Sequence, residues 1–410
     1  MRIHYENHRK SPHGINVFDS FLFQRFCYLH FCCKNTKKTD YIWIIYLKIV
    51  FLQSSNKKII KLLMIRQTSC DNGMTRLECS ALRCMAIVSI MLHNFAHWLP
   101  GAVPENEFSF SLEHYESFWE SVGNMDFLIQ IFSFFGHLGV PVFVFLTGYG
   151  LSQKYDRKEH LEWKSFLFNH WKKLFIPLVV GTLVYLIVMF IIEGHLVCSV
   201  SRIIVQCSMF LNFISPMHLL PMPYWYLGMT MQLYIIYLLF VHKRPLTALL
   251  LLTIASLIFM ACCVGFPQVV VVSRFNFIGW LAPLCMGIAY SRYQEIVHVE
   301  KGGWLMGISC ISLILVLLCG FNYYAWLLIP MYVVILAVGT VKYIPVLLQQ
   351  RMDYIGRNSL YFLIVHPITR ELIMPFVPNL GRYVSILLYI FTTFVFVYLF
   401  YLLKKTAQTR

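Results

Sequence analysis

Leu82-Arg83-Cys84-Met85-Ala86-Ile87-Val88-Ser89-Ile90-Met91-Leu92-His93-Asn94-Phe95-Ala96-His97-Trp98 is apolar enough to enter a bilayer, yet it carries an arginine near its start and a histidine further in. At about 1.5 Å per residue, His93 stands roughly 15 Å along a helix axis from Arg83. With Arg83 at one interface of a hydrocarbon core about 30 Å thick, His93 falls near the midplane. An ionisable side chain at that depth is costly, faces protein or water, and marks a working site by default. A lone membrane histidine can equally serve a structural hydrogen bond, and both readings stand at this point.

The rest of the chain agrees with a membrane setting. Of 410 residues, 58% are hydrophobic and only 13% charged, where soluble domains carry about 25% charged residues. This predicts an all-α, polytopic integral membrane protein. The formal net charge of +15 sits in short connections between apolar runs. That placement argues for membrane flanks and against a nucleic-acid partner. The 13 cysteines form no CxxC pair, so neither a zinc site nor a redox motif is expected. Cysteine in apolar segments packs as a small hydrophobe.

Residues 1–73 differ in kind. They hold Arg2, Arg9, Lys10, Arg25, Lys34, Lys37, Lys38, Lys48, Lys57, Lys58 and Lys61 against the acids Glu6, Asp19 and Asp40 over the first 63 positions. No signal-peptide pattern is present there. Tyr41 to Gln53 is broken by Lys48 and short for a span. The segment reads as a basic extension, either disordered or the product of a misassigned start, with translation beginning at Met64 or Met74. The membrane domain is expected over 74–405.

Ten spans are expected, at 79–98, 127–151, 174–192, 224–241, 246–264, 275–291, 303–320, 322–341, 355–374 and 383–403. The 98–126 connection has no Lys or Arg and carries Glu105, Glu107, Glu113, Glu116, Glu120 and Asp126. The next has Lys154, Arg157, Lys158, Lys164, Lys172 and Lys173. Positive charge recurs at every second connection. By the positive-inside rule both termini are cytoplasmic and the 98–126 loop is external. A plasma (inner) membrane location follows as the expectation. The loop aromatics Trp98, Phe108, Phe110, Tyr115, Phe118 and Trp119 read as an interfacial belt or a sugar-stacking surface.

His93 can act as a general base near neutral pH. His97 lies four residues on, a spacing that can hold a metal, but no third ligand is evident and no metal is expected. A second histidine, His366, follows Arg357 by nine residues, so it reaches a depth similar to that of His93. It could share a central site, or be a kink histidine before Pro367.

These pieces, in this order, resemble the acyltransferase 3 family from about residue 76 to 403. The likeness rests on several segments. They are the Arg83-to-His93 span, Phe143 to Tyr149 (FVFLTGY), Lys172 to Pro177 (KKLFIP), Tyr224 to Leu227, Pro283 to Gly287, and Ile355 to Pro367 (IGRNSLYFLIVHP). The family spaces its arginine and histidine by ten intervening residues where this chain has nine. The family serine before Gly148 is Thr147 here. The resemblance implies transfer of an acyl group, acetyl or succinyl, from acyl-CoA as co-substrate, with no permanently bound cofactor. The acceptor would be a hydroxyl of a cell-surface or lipid-linked glycan. It implies His93 and His366 as catalytic residues. Arg83, Lys172 and Lys173 would meet donor phosphates, and Thr147, Tyr149, Trp225, Arg357 and Ser359 are the remaining substrate-binding positions. The rival reading from the same interior polar groups is a transporter or flippase of glycan precursors; a membrane sensor ranks third.

Overall fold

The computed structural model describes residues 73–158, 160–215, 218–294, 299 and 301–408. The chain divides into two units, Met1–Cys70 and Asp71–Arg410. The first, and with it almost all of the expected basic extension and the alternative start Met64, lies outside the described residues.

Helix α1, Arg76–Ala96, begins with a capping box. Thr75 Oγ1 accepts from the Glu78 amide at 3.1 Å, and the Glu78 carboxylate accepts from the Thr75 amide at 2.8 Å. Two of the four unpaired amides of a helix start are thereby satisfied. Past this cap the helix presents apolar side chains to three core clusters, with Arg83, His93 and Asn94 turned to a cavity. Leu82 and Ala86 join one core cluster, Ile90 a second, and Ile87, Met91 and Phe95 a third. A helix with apolar contacts on several sides is a buried helix, and α1 is the axis on which the bundle is assembled. About two-thirds (67%) of its membrane window is buried, against 22% for the peripheral helices Leu246–Gly265 and Arg382–Leu402, whose outer leucines and isoleucines are exposed.

After α1 comes a connection holding the short helix α2, Leu112–Glu120. The chain then returns as α3, Phe127–Phe135, a 3-10 turn Gly136–Leu138, and α4, Gly139–Tyr155. There follow α5 (Trp163–Glu193), α6 (Trp225–Ile236), α7 (Leu246–Cys262), α8 (Pro267–Phe275) and α9 (Leu281–Tyr293). The last helices are α10 (Gly303–Leu318), α11 (Ile329–Val341), α12 (Val346–Arg357), α13 (Ser359–Ile373) and α14 (Arg382–Gln408). Among the described residues there is no strand.

Among the described residues eight helices are long and apolar enough to cross a membrane, not the ten expected. The two shortfalls have physical causes. The expected span at 275–291 is a bent pair, Pro267–Phe275 and Phe277–Tyr293, turned by 69°; counted as one span it raises the number to nine. The expected span at 322–341 is broken by a short turn, and its regular part, α11, is only 13 residues. At about 1.5 Å per residue that is roughly 20 Å, short of a bilayer core.

Small residues set a close contact between α4 and α9. A Cβ on Gly287 of α9 would overlap the Phe145 carbonyl oxygen of α4, and one on Gly148 of α4 would overlap that of Leu284. The two backbones touch directly, the packing that glycine permits between membrane helices. Gly287→Val should lower stability by about 1–3 kcal/mol through overpacking. Thermal unfolding in detergent reads this as a reduced midpoint; a midpoint equal to wild type would show that α4 and α9 do not meet there.

Candidate active site

The break between α3 and α4 builds the centre. Phe132 and Ser133 lie in the last turn of α3, where the Phe132 oxygen already accepts from the Gly136 amide and the chain runs on through the 3-10 turn into α4. His93 of α1 supplies a donor to both: Nδ1 lies 2.9 Å from the Ser133 oxygen and 3.2 Å from the Phe132 oxygen. Carbonyl oxygens only accept, so Nδ1 carries the hydrogen. In the neutral ring Nε2 is therefore the bare nitrogen. Gly136 admits this approach, since a Cβ there would collide with the His93 Cβ. Ser89 Oγ donates to the Gly136 oxygen at 2.9 Å and ties the turn to α1.

Nε2 of His93 faces Glu107, whose Oε2 is 3.8 Å away; both side chains are about 90% buried or more. The connection after α1 was read as an external acidic loop, but Glu107 is carried into the bundle by side-chain hydrogen bonds. Gln130 accepts from the Val103 amide at 2.8 Å and donates to the Gly101 oxygen at 3.0 Å. Ser133 Oγ donates to the Val103 oxygen at 2.7 Å, and Trp326 Nε1 to the Asn106 oxygen at 3.0 Å. Arg274 Nε donates to the main-chain oxygen of Glu107 at 3.0 Å. The Arg274 guanidinium is itself held against the rings of Trp280 (4.9 Å) and Trp326 (4.4 Å), a cation–π setting suited to a desolvated charge. The Glu107 amide donates to the Glu105 carboxylate. Burial raises the carboxyl groups of Glu105 and Glu107 above the usual range, and the charge of Glu105 adds to this at Glu107, while Arg274 pulls both back. Both acids lie within electrostatic reach of the one guanidinium, so these three groups together are neutral when they keep one proton.

Two further histidines surround the centre. The His97 ring stacks on His93 at 5.5 Å, and His137, on the 3-10 turn, meets it edge-on at 5.5 Å. No cluster of three or more metal-ligating side chains occurs among the described residues.

His93, Glu107 and His137 line a cavity of about 220 Å³, together with Arg83, Thr147, Trp225 and Ser359. Arg83 and His93 lie ten positions apart, or about 80° around the helix, and still share this cavity. A second space of about 280 Å³ adjoins it across Arg83, Phe143, Thr147 and Tyr234, and is lined by Lys154, Lys173 and His170. Polar centre and basic vestibule are thus neighbours along α1.

Of the positions expected from the sequence, Arg83, His93, Thr147, Trp225 and Ser359 meet at the cavity, and Lys173 lines the vestibule. Four others lie elsewhere. Tyr149 donates to the Met74 oxygen at 3.3 Å. Lys172 is exposed outside both spaces. Arg357 is exposed and paired with Asp353 one turn earlier. His366 is fully buried behind the lining residues Ser359, Leu360 and Leu363; its Nδ1 donates to the Phe362 oxygen at 3.0 Å and its Nε2 has no partner. That bond, to the carbonyl four residues back and next to Pro367, matches a kink histidine.

Sequence reasoning missed Glu107, His137 and Arg274 as site residues. Arg274 had a readable signal: it is a lone charge in the apolar run from Val269 to Trp280, and such charges mark interior partners. Glu107 had none, since five other acids share its loop.

The fold and this centre define a polytopic membrane protein with a buried histidine at a cavity of its own. A family model described as an acyltransferase domain matches residues 78–404, most of the chain and every residue lining the cavity. The chain belongs to that family of membrane acyltransferases. No curated protein and no solved structure matches it.

Arg274→Gln should cost about 3–5 kcal/mol, because it leaves buried acid without its cation. Adding Glu105→Gln should restore about 1 kcal/mol or more, since the two sites couple. Chemical denaturation of the two variants checks this; strict additivity would show that no charge set exists.

Proposed function

We propose that the protein transfers an acyl group, acetyl or succinyl, from acyl-CoA to a hydroxyl of a cell-surface or lipid-linked glycan. The observation that carries this reading is the bare Nε2 of His93, in a cavity that adjoins a basic vestibule. On this reading the vestibule faces the cytoplasm of a plasma-membrane protein. Lys173, Lys154 and Arg83 hold donor phosphates by charge-assisted hydrogen bonds, and only the thioester end enters the cavity. The acceptor hydroxyl gives its proton to Nε2 as its oxygen bonds to the thioester carbonyl carbon. The C–S bond then breaks with the electron pair on sulfur, and the imidazolium returns the proton to that thiolate. His93 ends as it began. The Nδ1–H bonds to Ser133 and Phe132 persist throughout and stabilise the imidazolium.

The test is mass spectrometry of surface-glycan esters in cells lacking the protein, then restored with wild type or His93→Ala. Loss of the ester, recovered with wild type and not with an equally abundant His93→Ala, is the expected result. Unchanged acylation in all three would overturn the reading. For the donor side, Lys173→Gln should raise the KM for acyl-CoA about tenfold with kcat within about twofold, the loss of one charged hydrogen bond. An unchanged KM would remove Lys173 from the donor site.

A further inference from the structure

Glu107 enters the bundle by its main chain. Its carbonyl accepts from Arg274 and its amide donates to Glu105, so its carboxyl is not what pins the loop. One carboxyl oxygen, Oε2, is aimed at Nε2 of His93 across 3.8 Å. That separation is too long for a direct hydrogen bond. It is the right width for one oxygen atom between them. An oxygen about 2.8 Å from each atom subtends roughly 85° between them, which a single hydroxyl can bridge.

The polarity of the bridge follows from proton counting. A hydroxyl has one hydrogen, and Nε2 has none, because the ring hydrogen is on Nδ1. The hydroxyl therefore donates to Nε2. Its oxygen can meet Glu107 only by accepting, so Glu107 must be the donor. The buried set supports this: two acids oppose the single Arg274 cation, and neutrality keeps one proton among them. Glu107 also stands at the loop end of the cavity, whereas the vestibule joins it at Arg83 and Thr147. Donor and acceptor can reach Nε2 from opposite ends.

We propose, on the acyl-transfer reading above, that Glu107 is a catalytic residue that seats the acceptor hydroxyl: the oxygen gives its proton to His93 Nε2 and accepts one hydrogen bond from Glu107 Oε2. As the O–H bond breaks, negative charge grows on that oxygen and the Glu107 bond tightens, a contact stronger in the transition state than before it. The oxygen bonds to the carbonyl carbon, C–S breaks, the Nε2 proton goes to the thiolate, and Glu107 keeps its own proton. The seat selects hydroxyl acceptors, with water as the competing occupant.

The test exploits the fact that a donor, not a negative charge, is required. In cells lacking the protein, surface-glycan ester is measured by mass spectrometry with wild type, Glu107→Gln, Glu107→Met and Glu107→Asn at matched membrane abundance. Gln keeps a donor at the same reach and should stay within about fivefold of wild type. Met keeps the size without a donor and should fall at least about a hundredfold, the usual cost of one such donor. Asn keeps the donor but retracts it by one methylene, and should fall with Met; it decides the matter if the Met variant fails to accumulate. Gln as inactive as Met or Asn would overturn the seat and assign Glu107 a negative charge instead. Met or Asn as active as wild type would overturn it outright. If wild type itself restores no ester, the acyl-transfer reading has failed, an outcome separate from these.

Discussion

The two hydrogen bonds from His93 Nδ1 to the carbonyls of Ser133 and Phe132 are the constraint around which the centre is built. A helix that ends inside a bilayer leaves carbonyl oxygens with no water to satisfy them, and each costs several kcal/mol if left bare. At the α3–α4 junction the Phe132 oxygen accepts from the Gly136 amide, and His93 of the neighbouring helix adds a donor to it and to the Ser133 oxygen. That donor is a histidine, so satisfying the backbone also fixes which ring nitrogen is free. A structural need and a chemical property are met by the same bonds. The two initial readings of a membrane histidine, structural or functional, are therefore not alternatives here: one nitrogen serves each.

The site also depends on a loop that behaves like core. The segment from Ala96 to Leu112 is fastened by Gln130, Ser133, Trp326 and Arg274, drawn from three different regions of the chain. Polar side chains buried at this depth are affordable only when each finds a partner. Gln130 and Ser133 sit on α3, the same helix whose end holds His93. The helix break and the loop thus rest on one another, and a shift of α3 would move both His93 and the backbone leading to Glu107.

Much of this was legible in the sequence, and the reasons differ by residue. The membrane class followed from composition, and α1 from its apolar run. Arg83, Thr147, Trp225 and Ser359 came from motif order, and all four line the cavity beside His93. The span count was overestimated because hydropathy measures how apolar a segment is and not whether it stays straight, and so does not register the 69° bend before α9 or the 13-residue length of α11. His366 had a plausible depth, but depth along an axis says nothing of the face a side chain takes, and its ring turns towards its own helix at Phe362. Glu107 was invisible for a related reason. It is one acid among six in its loop, and only the fastening by distant residues separates it from the others.

The two ends of the cavity differ in a way that bears on direction. At the vestibule end Arg83, Lys154 and Lys173 remain within reach of solvent, so their positive charge is available to an anionic ligand and sensitive to salt. At the loop end Arg274 is buried between two tryptophans and offset by the charge of Glu105 and Glu107, and Arg370 is paired with Glu371. An anionic group is attracted at the first end and finds no free positive charge at the second. A neutral polyol meets the reverse: little to hold it in the vestibule, but acceptors and donors at the loop. On the acyl-transfer reading proposed above, this asymmetry in field, rather than the shape of either space, gives an anionic donor and a neutral acceptor separate paths to His93 Nε2.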